Sequence, residues 1–414
     1  MRISSVRAIQ ILDSRGKPTL RTFITLEDGS IHQASVPSGA STGKHEALEL
    51  RDGDALTFAG QGVTKAINYV NTVIKQILID KDVDDLKGID RMMIDLDGTD
   101  NKSKLGANAI LSVSMAAARA AAYASNRPLW RFLHDYYFQK MTPGFPRLMV
   151  NLINGGKHAN WNFDLQEFII ITTSTEPSFS TRVAAEIFTQ LGQTLKKQGF
   201  ATLVGDEGGY SPAFSSNEQA YEAIIDAAKA AGYENTKDYE LAMDAAASEF
   251  YENGEYVLKR DNRKVSPQDL IKYYSELGQK YHIQSFEDPF EQDDWASFTQ
   301  FTQMAKQFHF QVVGDDFTVT NPERLEKAIK EQAANAIIIK PNQIGTISES
   351  AQAINMAKDA GWKIAVSHRS GETEDSFIAD LAYGSGADFI KTGSMSRSER
   401  LAKYNRLLEI EAGM

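Results

Sequence analysis

Eight short apolar runs, each closing on a charged or catalytic-type residue, constrain this chain more than any other feature. In order they are QEFIII around Glu167, TLVGDE to Glu207, ELAMD to Asp244, IQSFED at Glu287, VVGDD at Asp315, AIIIK at Lys340, KIAVSHRS at His368 and FIKTG at Lys391. Successive marked residues lie 23 to 43 residues apart, room for one strand, one helix and two loops. Runs such as AIIIK are apolar throughout, as strands covered on both faces are. Amphipathic segments such as 182–197, 217–231, 267–280, 322–330 and 348–360 alternate with them. An open doubly wound sheet shows the same alternation, but eight strands favour closure into a barrel. A closed barrel gathers its strand ends on one rim, where barrel enzymes keep their chemistry. Five carboxylates, two lysines and a histidine would then converge. So much charge at the end of a packed core is costly unless metal ions or substrate neutralise it.

A barrel takes about 250 residues; the chain has 414, so a smaller domain precedes it. Residues 1–36 read as a three-stranded meander, with Asp28-Gly29 as a hairpin turn between two strands. Helical periodicity follows over 63–79, with Ile67, Val70, Ile74 and Ile77/Leu78 on one face, and over 107–124. Pro143, Gly144 and Pro146 interrupt regular structure, which divides the chain into 1–138 and 139–414. The expected fold is α/β: an eight-stranded βα (TIM-type) barrel behind an N-terminal α+β domain of three strands plus helices.

The net charge of −11 argues against nucleic acid, whose phosphates are held by clustered Lys and Arg. Absence of cysteine excludes disulfides, thiolate metal sites and cysteine nucleophiles, and is compatible with the reducing cytoplasm. The first residues lack the apolar stretch of a signal peptide. The segment 105–124 carries Asn108 and Arg119 and reads as a buried helix, not a membrane span.

Asp244, Glu287 and Asp315 close three consecutive strands. Converging carboxylates repel one another and suit a hard divalent cation such as Mg²⁺, Mn²⁺ or Ca²⁺; singly, each would pass for a solvated loop acid. Lys340 leaves the buried run Ile337-Ile338-Ile339 at the rim. It is either a base, its neutral form favoured by a nearby cation, or a structural partner of Glu287 or Asp315. Lys391 has the same two readings. His368, Arg369 and Ser370 place an imidazole, a guanidinium and a hydroxyl together, suited to clamping an anion. Glu207, in the turn GDEGG, is a candidate proton donor, with Glu167 raising its pKa by like-charge repulsion. His158 sits in the loop NGGKH. The stretch 39–44 falls one residue short of a phosphate-binding P-loop and has His45 where Ser or Thr is needed; SGASTG reads better as a mobile lid carrying Ser41.

Taken in order, LDSRGKPT, VPSGASTG with HEALELRDGD, LDGTDNKSKLGANAILSVS, NGGKHAN with QEF, VGDEGGYSP, LAMDAAASEFY, FEDPFEQDDW, VGDD, IKPNQIGT, SHRSGETEDSFIADLA and IKTGSMSRSER resemble the enolase family along essentially the whole length. The resemblance implies a β₃α₄ domain followed by a barrel whose first unit departs from regular βα order. It implies reversible dehydration of 2-phospho-D-glycerate to phosphoenolpyruvate, a glycolytic step. By resemblance, Lys340 is the base and Glu207, assisted by Glu167, protonates the departing hydroxyl. Asp244, Glu287 and Asp315 hold one Mg²⁺; a second arrives with substrate and is completed by Ser41. Arg369 and Ser370 hold the phosphate, Lys391 neutralises the carboxylate side, and His158 and His368 line the pocket. The family also implies a cytoplasmic homodimer or a larger ring of dimers. Arg21 and Glu409 stand where relatives often carry the opposite charges, so a reversed ion pair between subunits is expected.

Overall fold

The structure is a computed structural model that describes residues 1–39, 43–159, 161–260 and 262–414, the side chain of His158 apart. Strands β1 (Ile3–Leu12), β2 (Pro18–Leu26) and β3 (Ile31–Ser35) form the antiparallel meander expected from the sequence. The Leu26 N–H to Ser30 carbonyl bond of 3.0 Å closes the β2–β3 hairpin, and Gly29 at φ +86° supplies the left-handed turn residue. Alternation along β2 buries Leu20, Thr22, Ile24 and Leu26. They face the helix Ala107–Ala124, where the hydroxyls of Thr22 and Ser112 meet at 2.6 Å. The helix over 63–79 forms as three segments, Thr64–Tyr69, Val70–Ile74 and Lys75–Leu78, the middle one a π-helical turn. Val70, Ile74 and Leu78 are fully buried there, while Ile67 and Ile77 are only partly so. Among the described residues, no helix is long and apolar enough to cross a membrane.

The rest builds a closed eight-stranded barrel. Its strands are β4 (Arg147–Asn154), β5 (Glu167–Thr172), β6 (Tyr239–Asp244), β10 (Ile283–Glu287), β11 (Gln311–Gly314), β12 (Ala336–Ile339), β13 (Lys363–Ser367) and β14 (Phe389–Lys391). A small antiparallel sheet of β7 (Tyr251–Glu252), β8 (Glu255–Leu258) and β9 (Arg263–Val265) is inserted after β6.

Two of the expected strands differ. TLVGDE is not a barrel strand: residues 201–209 run as loop and turn, joined to the barrel by isolated bridges through Tyr210, and Leu203 is 76% exposed. The eighth strand is β4, which ends on a neutral Asn154. The second difference is direction. β5 starts at Glu167, instead of ending there, and pairs antiparallel with both β4 and β6. Reversal leaves Glu167 on the rim even so, because its register partners are Asn154 and Asp244, the final residues of β4 and β6.

Side chains alternate across a strand with period two. One buried cluster fills the barrel interior, and it includes Ile169, Ala242, Val313, Ile338 and Phe389. Two residues further towards the rim on each strand stand Glu167, Asp244, Asp315, Lys340 and Lys391. The strand pleat that packs the interior therefore aims these charged groups into the barrel mouth.

Candidate active site

The rim residues meet in a small polar cavity lined by Glu167, Glu207, Asp244, Asp315, Lys340, His368, Arg369, Ser370 and Lys391. A larger apolar pocket, around Tyr274, Phe286 and Phe301 where the helices Pro267–Tyr281 and Trp295–Phe308 meet the strand Ile283–Glu287, contains none of them.

Lys391 is the hub. Its Nζ lies 2.8 Å from both oxygens of Glu287, 3.2 Å from Asp244 Oδ2 and 3.2 Å from Glu167 Oε2. Burial opposes charge on this lysine, but the carboxylates outweigh it and hold the ammonium well above its ordinary range. Burial, reinforced by Asp244 and opposed by Lys391, pushes Glu287 up to about 8. Burial and the charge of Glu207 push Glu167 well above the usual carboxylate range.

Lys340 donates from Nζ to Asp315 Oδ2, and Gln343 Nε2 donates to Asp315 Oδ1 at 2.9 Å. Burial would raise the Asp315 carboxyl, but Lys340 overrides it and holds the group below its usual value. Burial likewise opposes charge on Lys340, yet Asp315 keeps its proton held more tightly than usual. Arg369 forms a two-pronged pair with Glu46 of the N-terminal domain at 2.9 and 3.0 Å, and also donates to Asn342 Oδ1 at 3.0 Å. Ser370 Oγ accepts from Arg15 at 3.4 Å.

Glu207 reaches the rim on the turn that follows residue 204. Asn151 Nδ2 donates to its Oε2 at 3.1 Å, and His368 Nε2 lies 3.5 Å from the same oxygen. Burial pushes His368 down to about 4 despite Glu207. The structure thus brings together Glu167, Glu207, Asp244, Glu287, Asp315, Lys340, His368, Arg369, Ser370 and Lys391. Ser41 lies outside the described residues, as does the side chain of His158. Arg21 meets Glu374, and Glu409 lies 3.0 Å from Arg406, so each has a partner inside its own chain.

Asn151, Gln343 and Glu46 were not singled out from the sequence. Asn151 was legible in principle: it follows the interior residue Met149 by two positions. Glu46 was not, because its role depends on how the N-terminal domain sits on the barrel.

The donor chemistry fits a hard divalent cation. Asp244 and Glu287 share one ammonium, Asp315 holds another, and all three are buried oxygen donors at adjacent strand ends. A second acidic group, Asp288, Asp315 and Asp316, has ligand oxygens within 4.8 Å of one another. Asp288, however, uses its two oxygens to accept the Asp315 and Asp316 N–H groups at 2.9 and 2.7 Å, a structural tie between two strand ends. The set centred on the lysines is the better cation site.

Family models match nearly the whole chain. Residues 3–133 match the enolase N-terminal domain, and residues 143–414 match the enolase C-terminal TIM barrel domain.

Proposed function

The chain belongs to the enolase family, and from that premise we propose that it is a hydro-lyase that reversibly dehydrates 2-phospho-D-glycerate to phosphoenolpyruvate. One observation carries the reading: two lysines, a carboxylate pair, two further carboxylates and an arginine face one cavity of the barrel mouth.

Lys340 is the base for the proton next to the substrate carboxylate. It must be neutral to act, and Asp315 alone favours the ammonium, so proton uptake requires the Asp315 charge to be engaged elsewhere. Asp244, Glu287 and Asp315 would hold Mg²⁺, with a second ion entering with substrate and Ser41. Bound there, magnesium supplies positive charge against the extra negative charge that develops on the substrate carboxylate. Lys391 adds a fixed ammonium on the same side. Glu207 donates a proton to the departing hydroxyl. Glu167, itself favoured in its protonated form by burial and by Glu207, keeps that region supplied with a proton near neutral pH. Arg369 and Ser370 take the phosphate, the arginine offering a planar fork matched to phosphate oxygens. His158 and His368 border the substrate.

The same reading divides the chain after residue 138 and carries a cytoplasmic, glycolytic role as a homodimer. The test is spectrophotometric. Given 2-phosphoglycerate and Mg²⁺, the protein is expected to raise the ultraviolet absorbance of phosphoenolpyruvate's conjugated double bond, and a chelator or Lys340→Ala to abolish the rise. Folded, Mg²⁺-supplied protein that gives no rise would overturn the assignment.

A further inference from the structure

Arg400 belongs to none of the roles above, yet it is fully buried directly behind them. It lies in the first turn of the helix Ser398–Glu411. Its Nη1 lies 2.7 Å from His368 Nδ1 and donates to the Arg369 carbonyl at 2.5 Å. Its Nη2 donates to the carbonyls of Ser370 at 2.6 Å and Asp206 at 3.1 Å, and to Ser14 Oγ at 3.4 Å. One guanidinium therefore ties the turn that carries Glu207 to the strand end that carries His368, Arg369 and Ser370. Glycine at 393 makes this route possible. A Cβ there would lie 2.8 Å from Arg400 Cδ and 2.7 Å from the Glu207 carbonyl.

We propose that Arg400 is a positioning residue that fixes His368 as the neutral tautomer carrying its proton on Nε2, so that the ring presents a donor to Glu207. The proposal rests on the dehydratase reading for its purpose, but not for its geometry. Guanidinium has only donors, so the Nδ1 atom that meets Arg400 must be a bare acceptor. The single ring proton then sits on Nε2, 3.5 Å from Glu207 Oε2. In the more familiar arrangement a carboxylate accepts from Nδ1 and favours the imidazolium. Here a donor occupies that place, and the ring is kept from becoming a competing proton carrier. Among the described residues, the charged groups that act most strongly on the imidazole are Glu207, Arg400 and Glu372. Burial and Arg400 act against protonation, while Glu207 and Glu372 favour it.

A purely structural arginine would leave the tautomer indifferent, and this separates the two roles. The chain has seven histidines. With ¹⁵N in their imidazole rings, the His368 signal is assigned by its loss in His368→Asn. Wild-type protein is expected to show Nδ1 unprotonated and Nε2 protonated across about pH 5 to 8. Arg400→Met should give a tautomer mixture that titrates closer to ordinary imidazole. Its kcat should fall by about 100-fold, as expected of a misplaced catalytic group, and acquire a new ionisation in its pH profile. Arg400→Lys should recover part of both, since an ammonium can still donate to Nδ1. Ser14→Ala removes an Arg400 contact remote from the ring and should keep the wild-type tautomer. A wild-type ring protonated on Nδ1 overturns the proposal, even if Arg400→Met fails to fold. So does a folded Arg400→Met with the wild-type tautomer and pH profile. Because the spectrum needs no turnover, an inactive wild type would sink the dehydratase reading while leaving this one to be decided separately.

Discussion

At the scale of single residues, the site is a balance between buried carboxylates and the two lysines that hold them. Lys391 shows it most directly, with Glu167, Asp244 and Glu287 all within 3.2 Å of one nitrogen. Three buried carboxylates without that ammonium repel one another, and removing one partner of a buried pair typically costs about 3–5 kcal/mol. Lys391→Met is therefore expected to melt several degrees below the wild type in chelator. Magnesium should raise its melting temperature by more than it raises that of the wild type, because the cation then replaces lost positive charge. Equal magnesium shifts in the two proteins would mean that the ion does not meet these carboxylates. The identity of the rim groups was legible because a period-two strand leaves a charge at its end. Asn151 carries no such mark in the sequence, because it is neutral.

At the scale of elements, a terminal charge likewise makes TLVGDE resemble a barrel strand, while the true strand Arg147–Asn154 lacks one. In TLVGDE a short apolar run precedes an acid, whereas RLMVNLIN is the longer apolar run but ends on asparagine. Periodicity does not separate a short buried strand from an apolar loop, and the exposure of Leu203 appears only in three dimensions. The reversal of β5 was not readable from the residues either, since alternation reads the same in both directions. The turn that replaces the expected strand still holds Glu207 firmly. Ser394 N–H donates to the Glu207 carbonyl at 2.9 Å, Arg397 Nε to Gly205 at 3.0 Å and Ser396 Oγ to Gly208 at 2.7 Å. Gly208 has φ +87°, and a Cβ on it would fall 2.6 Å from the Ser396 carbonyl. Gly208→Ala should consequently lower kcat by about 10- to 100-fold through a displaced Glu207, with the barrel's circular dichroism unchanged; wild-type kcat would show that the turn adjusts freely. A second element-level contact is pH-sensitive. Asp90, on the helix Leu86–Asp97, accepts the Ser348 N–H at 3.0 Å at the start of the helix Ile347–Asp359. Burial, opposed by hydrogen bonds from Ser348 and Ser114, lifts its carboxyl from 3.8 to about 6. A raised folded pKa means that folding favours the protonated acid. This stabilisation is complete below about pH 4 and is lost as pH rises through 6, a change of about 3 kcal/mol. Asparagine imitates the protonated acid, so Asp90→Asn should gain up to that amount relative to the wild type between pH 4 and pH 7.5. Urea midpoints of both proteins at the two pH values measure it, and a difference independent of pH would refute the assignment.

At the scale of the whole molecule, the N-terminal domain closes the mouth of the barrel with charge. Lys44 reaches Glu291 at 3.0 Å, His45 reaches Asp293 at 3.0 Å, and Ser38 bridges to Gly371 through paired backbone bonds. The exposed pairs contribute little individually. The Glu46–Arg369 pair differs, being buried, two-pronged and charge-assisted. It also occupies the guanidinium assigned to the substrate phosphate, so an entering anion competes with a contact between domains. Glu46→Gln keeps the shape and an acceptor for the Gly43 N–H, which Glu46 now accepts at 2.9 Å, but removes the competing charge. Inorganic phosphate should then inhibit the variant several-fold more tightly than the wild type, with the gain shrinking as salt rises because part of it is electrostatic. Phosphate inhibition that is unchanged or weaker would mean that the anion never displaces Glu46. Arg369 would then serve to hold the two domains together, and the phosphate would have to be sought on other cations of the cleft, such as Arg15 or Lys44.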